Sequence, residues 1–156
     1  MKITVVILIA MASFVAGSLL GYYFGYDIGF EKGVLTGKTY TQDIGNEAEL
    51  SNLIVVDYPR PNQIVKSPLV ITGRARGYWF FEASAPVRIL DKNGDVLAEK
   101  YIESIDEWMT EDFVVFSGEI TFNPAGSNKG TIILQNDNPS GLPENIKELR
   151  IPIHFE

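Results

Sequence analysis

The hydrophobic residues of this chain follow two different patterns. From Ile3 to Tyr26 they form an uninterrupted run of apolar and small residues that carries no charge. From Leu53 onward they occur in short runs separated by Pro, Gly and Asn clusters. A helix rises about 1.5 Å per residue, so the first run would be roughly 36 Å long and would cross a hydrocarbon core of about 30 Å. The two patterns predict a single transmembrane helix followed by a β-rich domain.

The apolar run has two interpretations, an uncleaved membrane anchor and a cleaved secretory signal peptide. A signal peptide combines a short apolar core with a small-residue cleavage site, which here would follow Ser18. The apolar residues continue past Ser18 to Tyr26, and this length favours an anchor over residues 1–30. The short amino-terminal tail is typical of a signal-anchor, so we expect the rest of the chain to lie outside the cytoplasm.

Glycine recurs at every fourth position from Gly17 to Gly37. Only Gly17, Gly21 and Gly25 fall at membrane depth, where small-xxx-small spacing lets two helix backbones approach closely. Two interpretations stay open. These glycines form a packing face for a homodimer, or they belong to a helix end where they have little effect.

The polar and apolar positions after the run divide the chain further. Residues 31–52 are polar and glycine-punctuated without a sustained period, which is typical of a tether. Residues 53–156 have the texture of an all-β sandwich. The predicted strands are Leu53–Tyr58, Ile64–Val65, Leu69–Ala75, Pro86–Asp91, Asp95–Ile102, Phe113–Phe116, Glu119–Phe122, Thr131–Gln135 and Leu149–Phe155.

Two of these strands flank the dipeptide Asn93-Gly94, which predicts a tight β-hairpin because both turn positions favour positive φ. The matching register would place Arg88 opposite Glu99, Leu90 opposite Leu97 and Lys92 opposite Asp95. In the last strand, Pro152 cannot donate a ladder hydrogen bond, so this strand should be an edge strand or carry a bulge.

Several short motifs occur in a specific order in the β-rich region. They read DYPRPN at 57–62, SPL at 67–69, GRARGYWFFEA at 73–83, PVRILDKNG at 86–94, DFVVFSG at 112–118 and DNPSG at 137–141. In this order they resemble the bacterial spore germination immunoglobulin-like domain over nearly all of Val55 to Phe155. The resemblance implies a mainly β, immunoglobulin-like antiparallel β-sandwich outside the cytoplasm, and it supplies no catalytic residues.

Composition limits the chemistry. The chain has 156 residues, a formal net charge of −7, one His and no Cys. The acidic residues are spread along the chain, which disfavours a nucleic-acid partner. The absence of Cys excludes thiol catalysis, cysteine metal sites and disulfides. About a hundred residues remain after the anchor and tether, enough for one small domain.

Two features are candidates for enzyme-like sites. His154 falls on the outward face of the last predicted strand, where no motif places a nucleophile beside it. The acidic run over residues 103–112, around Trp108, could coordinate calcium or supply a pair of hydrolase carboxylates, but its spacing matches no known loop. A solvated loop with Trp108 packed over the sandwich edge is favoured, and we expect no metal and no cofactor.

Tyr78, Trp79, Phe80 and Phe81 form the most informative group because four consecutive aromatic residues cannot all face one side of a strand. One interpretation makes them, with Trp108, a platform for a sugar or a partner protein. The favoured interpretation buries Trp79 and Phe81 in the core and packs Tyr78 and Phe80 beneath the following loop.

Taken together, these patterns predict a membrane-anchored, extracytoplasmic immunoglobulin-like module with a non-enzymatic binding or cell-envelope assembly role. Its partner would be a cell-surface protein or a glycan. Two alternatives remain open. One is a cell-wall-directed hydrolase or metal-dependent enzyme that uses the run 103–112, and the other is a passive structural spacer.

Overall fold

A computed structural model describes residues 42–156 of the chain. The predicted anchor over 1–30, including Gly17, Gly21 and Gly25, and residues 31–41 of the predicted tether lie outside the described residues. Within 42–156, no helix combines the length and apolar character that a membrane span requires.

The described residues form eight strands, one short helix and two 3₁₀ turns. The helix is α1 (Glu47–Leu50). The strands are β1 (Ile54–Tyr58), β2 (Ile64–Val65), β3 (Leu69–Arg76), β4 (Ser84–Asp91), β5 (Val96–Ser104), β6 (Phe113–Ile120), β7 (Lys129–Gln135) and β8 (Glu148–Phe155). The 3₁₀ turns are Gly77–Trp79 and Pro143–Asn145.

Strand β6 joins two segments that the sequence pattern predicts as separate strands on either side of Ser117 and Gly118. Both of these residues pair with β3, Ser117 with Thr72 and Gly118 with Ile71. A Cβ on Gly118 would lie 2.9 Å from Cγ2 of Ile102. This glycine therefore permits a close approach of β5 to β6 rather than a break in the strand.

The strands form one mixed sheet in the order β1-β3-β6-β5-β4-β7-β8-β2. Six pairings are antiparallel, and β2 runs parallel to β8, so the expected purely antiparallel arrangement is wrong at this edge. β5 pairs with β6 only through Glu103 and Ser104. The sheet curls at this short junction, and its inner face encloses one core that includes Ile54, Ile71, Phe116, Val87, Ile132 and Ile151. The mainly β prediction is confirmed, and the curled sheet is consistent with an immunoglobulin-like domain.

Pro152 lies in β8, the strand next to the edge strand β2, at a point that β2 does not reach. The N–H of Arg150 donates to Oδ1 of Asn46 at 2.7 Å, and the N–H of His154 donates to the carbonyl of Gln63 at 3.0 Å. By the two-residue period of a strand, the nitrogen of Pro152 points to this same side. Pro152 thus removes no hydrogen bond from the β7–β8 ladder, and β2 extends the sheet only beyond this point.

Residues 42–52, which the sequence pattern assigned to the tether, contact the sheet through polar side chains and through Leu50, which packs against the core. Besides accepting from Arg150, the Asn46 side chain donates to the carbonyl of Glu148 at 2.9 Å. Glu47 pairs with Arg60 at 2.8 Å. Side-chain amides that bond strand backbones leave no hydrophobic period, so this attachment has no signal in the pattern.

The hairpin between β4 and β5 has a longer loop than predicted. Arg88 pairs with Glu99, as predicted, but Leu90 lies opposite Val96 because a bulge shifts the register. The predicted Leu90–Leu97 pair is therefore wrong. Of the two residues in the Asn93-Gly94 turn, only Gly94 has positive φ, at 91°.

The sequence pattern placed Lys92 opposite Asp95, but in the structure Asp91 bonds Asp95 instead. The N–H of Asp91 donates to the carbonyl of Asp95 at 2.9 Å, and Oδ1 of Asp91 accepts from the N–H groups of Asn93 and Asp95 at 2.7 and 2.9 Å. This geometry is a three-residue loop closed by a side chain, with glycine at its left-handed position. Desolvation favours the neutral Asp91 carboxyl, but the hydrogen bonds from Asp95 and Asn93 outweigh it and lower the pKa of Asp91.

Replacing Asp91 with Ala should lower the urea midpoint of unfolding at neutral pH. Because the pKa of Asp91 is depressed in the folded state, its contribution is complete above the unfolded value of about 3.9 and is lost as pH falls through the folded value. The midpoints of the wild type and Asp91→Ala should therefore differ fully above about pH 4 and converge only as pH falls below the folded pKa of Asp91. Asp95→Asn is the control because it removes a charge from the same loop without removing this acceptor. A gap between wild type and Asp91→Ala that is unchanged at low pH would contradict the interpretation.

Several strand edges lack a neighbouring strand along most of their length: the outer edges of β1, β2 and β8, and the facing edges of β5 and β6. On β1, Nη1 of Arg60 donates to the carbonyl of Val56, and the same guanidinium pairs with Glu47. On β5, the open edge carries the charged residues Glu99 and Lys100, both of which are exposed. Side-chain cover and charge both discourage the addition of another strand.

Candidate functional site

The four consecutive aromatic residues do not continue β3 as a strand. Gly77–Trp79 form a 3₁₀ turn, and the N–H of Phe80 donates to the carbonyl of Gly77 at 3.1 Å. Trp79 is 1% exposed and Phe80 is 3% exposed, whereas Tyr78 and Phe81 are 58% and 43% exposed. The predicted burial of Phe81 in the core is therefore wrong. The turn breaks the two-residue alternation on which that prediction depended.

Gly77 explains why the chain turns here. Its N–H donates to the carbonyl of Asp112 at 3.0 Å. A Cβ at this position would overlap the carbonyl oxygens of Trp108 and Thr110. The absence of a side chain thus allows the loop between β5 and β6 to lie directly against the turn.

Trp79 and Phe80 belong to the core. The rings of Phe80 and Phe116 lie 6.2 Å apart at 58°. The carbonyl of Trp79 accepts from the N–H of Asp137 at 2.9 Å, which ties the β7–β8 loop to the turn. Nε1 of Trp79 is buried without a hydrogen-bond partner among the described residues. Neither side chain is available to a partner at the surface.

The other candidate aromatic residues meet at the surface. Phe81 and Trp108 pack edge to face, with ring centroids 6.4 Å apart at 66°. Trp108 is half-buried against the core, and Met109 beside it is 72% exposed. We call Tyr78, Phe81, Trp108 and Met109 the aromatic surface. The sequence pattern did not single out Met109, although its position directly after Trp108 within an acidic loop is a usable signal.

Two open concavities adjoin the aromatic surface, one on each side of Tyr78. The first, of about 320 Å³, is lined by Gly77, Tyr78, Trp108, Met109, Thr110 and Glu111. The second, of about 300 Å³, is lined by Leu53, Tyr78, Trp79, Asn136, Glu144, Asn145 and Lys147. Tyr78 therefore stands between the β5–β6 loop and the β7–β8 loop.

The β5–β6 loop is held in place by Arg76 at the end of β3. The Arg76 guanidinium lies 4.2 Å from the centroid of the Phe113 ring. It also donates to the carbonyl of Glu111 at 3.1 Å and to the carbonyl of Asn52 at 3.0 Å. By stacking on one ring and donating two hydrogen bonds, Arg76 fixes the carboxyl-terminal end of the loop that carries Trp108 and Met109.

The polar side chains of this loop bond its own backbone. Oε1 of Glu107 accepts from the N–H of Met109 at 3.2 Å, and Oγ1 of Thr110 accepts from the N–H of Asp112 at 3.2 Å. These contacts stiffen the loop, and each uses one acceptor atom of the side chain.

The acidic residues of the run 103–112 point to solvent. All five are exposed: Glu103, Asp106, Glu107, Glu111 and Asp112. Over residues 42–156, no cluster of three or more His, Asp or Glu side chains is placed to hold a metal ion. His154 is half-buried on β8, where it pairs with Lys129 of β7 and Ile64 of β2.

The comparisons with known proteins bear on residues 53–141. A family model described as the immunoglobulin-like domain of bacterial spore germination matches this range, which spans β1 to β7 and the whole aromatic surface. No curated protein and no solved structure matches the chain.

Proposed function

Because the chain belongs to the family of the immunoglobulin-like domain of bacterial spore germination, we propose that it is a non-enzymatic binding module whose aromatic surface holds a protein partner. The apolar run from Ile3 to Tyr26 supports a module anchored in a membrane and displayed outside the cytoplasm. Its role would be to recruit or position a second protein of the cell envelope.

The observation that carries this proposal is the exposed edge-to-face pair of Phe81 and Trp108, flanked by Tyr78 and Met109. Aromatic residues and Met are enriched where proteins bind proteins, and Trp and Tyr dominate the binding energy there. A spacer domain would gain nothing from leaving these side chains in water. The loop that carries two of them is fixed by Gly77 and Arg76, so little ordering entropy would be lost on binding.

Two observations favour a protein over a glycan and the aromatic surface over a strand edge. Aromatic stacking on a sugar is normally joined by hydrogen bonds from polar side chains, whereas Met109, 72% exposed beside Trp108, is an apolar side chain of a type enriched in protein–protein interfaces. Strand addition would use the open edge of β5, which carries Glu99 and Lys100. By contrast, the four side chains of the aromatic surface carry no charge.

Photocrosslinking in intact cells tests the proposal. A photoreactive amino acid replaces Tyr78 in the full chain, and the matched control places it at Val70, which is also exposed but lies on the outer face of β3. We expect a covalent adduct with another polypeptide from position 78 and none from position 70. Adding Phe81→Ala and Met109→Ala should reduce the adduct yield roughly tenfold, because two such contacts together contribute on the order of 1–2 kcal/mol.

Three results would contradict the proposal. One is the absence of any adduct from position 78, which would favour the spacer alternative. Another is equal labelling at positions 78 and 70. The third is an adduct that persists unchanged in the Phe81→Ala/Met109→Ala variant while its unfolding midpoint matches that of the wild type.

A further inference from the structure

We propose that the partner of the aromatic surface is a basic, apolar polypeptide segment, in which Lys or Arg residues flank the apolar side chains that contact Tyr78, Phe81 and Trp108. This inference rests on the proposed function and adds the chemistry of the partner. It depends on the distribution of charge around the surface.

The three segments that form and border the aromatic surface, residues 76–82, 105–112 and 136–147, contain seven acidic and two basic residues. The acidic residues are Glu82, Asp106, Glu107, Glu111, Asp112, Asp137 and Glu144, and the basic ones are Arg76 and Lys147. The rest of residues 42–156 contains eleven acidic and eight basic residues, which is close to balance. The negative charge of the domain is therefore concentrated at this end.

The two basic residues offset only part of this charge, because seven acidic and two basic residues leave a formal net charge of −5 over the three segments. The Arg76 guanidinium stacks on Phe113 and donates to two backbone carbonyls. Lys147 lies at the second concavity, beside Glu144. Glu111 lines the first concavity together with Tyr78, Trp108 and Met109. The aromatic surface therefore has an apolar centre and an acidic rim. An apolar centre with a polar rim is the usual anatomy of a protein interface, and here the rim carries mainly negative charge.

This distribution selects among partners. Anionic bilayer surfaces and phosphate-bearing ligands would be repelled by the rim. A neutral glycan would gain nothing from it. A polypeptide with Lys or Arg beside apolar residues would match both parts of the surface, and opposite charges across a rim raise the association rate and suppress wrong partners.

Peptide selection tests the inference with the full chain in detergent micelles. A library of short random peptides displayed on phage is selected on the immobilised protein and, in parallel, on the Tyr78→Ser/Phe81→Ser variant. We expect enriched peptides that combine Lys or Arg with Leu, Phe or other apolar residues. The best peptide, synthesised, should bind more weakly at high salt because rim charges are screened.

Charge reversal supplies the matched comparison. Glu107→Lys/Glu111→Lys should weaken binding of that peptide roughly tenfold, because each reversal replaces attraction with repulsion at a solvent-exposed pair. Glu49→Lys/Glu119→Lys changes the net charge equally at exposed positions on α1 and β6 and should leave its affinity nearly unchanged.

The outcomes separate the two proposals. Enriched peptides that lack basic residues, or that bind both charge-reversed variants equally well, would overturn the inference about charge while leaving a binding role for the aromatic surface. Peptides that bind the Tyr78→Ser/Phe81→Ser variant as tightly as the wild type would overturn the proposed function itself. A selection that enriches nothing over this variant would count against both.

Discussion

Replacing Trp79 with Ala is expected to lower the free energy of unfolding by about 3–5 kcal/mol, the usual cost of truncating a fully buried large aromatic residue. Trp79 is among the largest side chains with essentially no exposed surface. It lies between β3 and β4, and its backbone carbonyl also holds Asp137 of the β7–β8 loop. The collapse of such a site is limited because surrounding strands hold its walls apart. Urea unfolding of the full chain, followed by circular dichroism, measures the loss.

A second variant at the same position removes the indole N–H but keeps a buried aromatic ring. Because Nε1 of Trp79 has no partner among the described residues, Trp79→Phe removes volume without breaking a hydrogen bond. It also relieves the cost of a buried donor without a partner, about 1–3 kcal/mol when the donor is fully desolvated. Both Trp79→Phe and Trp79→Ala remove this donor, so the difference between them measures buried volume. We expect Trp79→Phe to be less destabilising by about 2 kcal/mol or more, because Phe keeps a buried ring.

The adjacent residue provides the control. Tyr78→Ala truncates an aromatic side chain that is exposed, so it should change stability by no more than about 0.5 kcal/mol. A Trp79→Phe variant as unstable as Trp79→Ala would contradict the assignment of the stability loss to buried volume, since the two variants lack the same indole N–H and differ only in the ring. A Tyr78→Ala variant as unstable as Trp79→Ala would contradict the burial pattern of the whole turn.

The predictability of the strands has a simple physical basis. In β3 and β8 one face is buried and the other is more exposed, so apolar residues alternate. β5 and β7 lack this alternation, since only Ile102 is buried in β5 and Ile132, Ile133 and Leu134 are all buried in β7. The local pattern of β-rich runs between Pro, Gly and Asn clusters located the strands. It could not show that β6 continues through Gly118, because that glycine is required by its neighbour Ile102 on β5. The parallel pairing of β2 with β8 is likewise a contact between distant parts of the chain.

The candidate surface was predictable in composition but not in geometry. Four consecutive aromatic residues indicated that some side chains must be exposed, and the sequence named all of them together with Trp108. Which ones are exposed depends on the 3₁₀ turn at Gly77, and that turn exists beside a loop more than twenty residues further along the chain. A strand-like alternation therefore assigned Phe80 and Phe81 to the wrong sides. Local periodicity fails where a contact from a distant loop bends the backbone.

The hairpin shows the same limit at shorter range. Asn93-Gly94 correctly indicated a turn, and Arg88 lies opposite Glu99 as the register required. The predicted two-residue turn does not form, because the Asp91 carboxylate accepts from the N–H groups of Asn93 and Asp95 and closes a three-residue loop. Side-chain closure of a loop and a bulge one residue away shift the register without altering which residues are apolar.

Replacing Gly77 with Ala adds one methyl group, and we expect this group to displace the loop that carries Trp108 and Met109. Gly77 lies in a 3₁₀ turn, a backbone conformation that Ala adopts without strain, so crowding alone determines the outcome. The new Cβ would overlap the carbonyl oxygens of Trp108 and Thr110, and these are backbone atoms that cannot rotate away. We expect a loss of about 1–3 kcal/mol in the free energy of unfolding, together with displacement of Trp108 from Phe81. Urea unfolding and the photocrosslink at position 78 measure the two effects.

Gly94→Ala is the matched control because it separates crowding from backbone strain. Gly94 has a φ of 91°, and a Cβ added there would have no atom within 4 Å, so Ala at this position meets strain of about 1–2 kcal/mol and no clash. Both variants should therefore unfold more easily, but only Gly77→Ala should reduce the photocrosslink at position 78, since Gly94 lies in the β4–β5 hairpin rather than beside the aromatic surface. Equal losses of the photocrosslink in both would mean that the partner responds to overall stability. An undiminished photocrosslink in Gly77→Ala would mean that binding does not depend on the placement of Trp108 by this turn, and the surface would then have to act through Tyr78 and Phe81 alone.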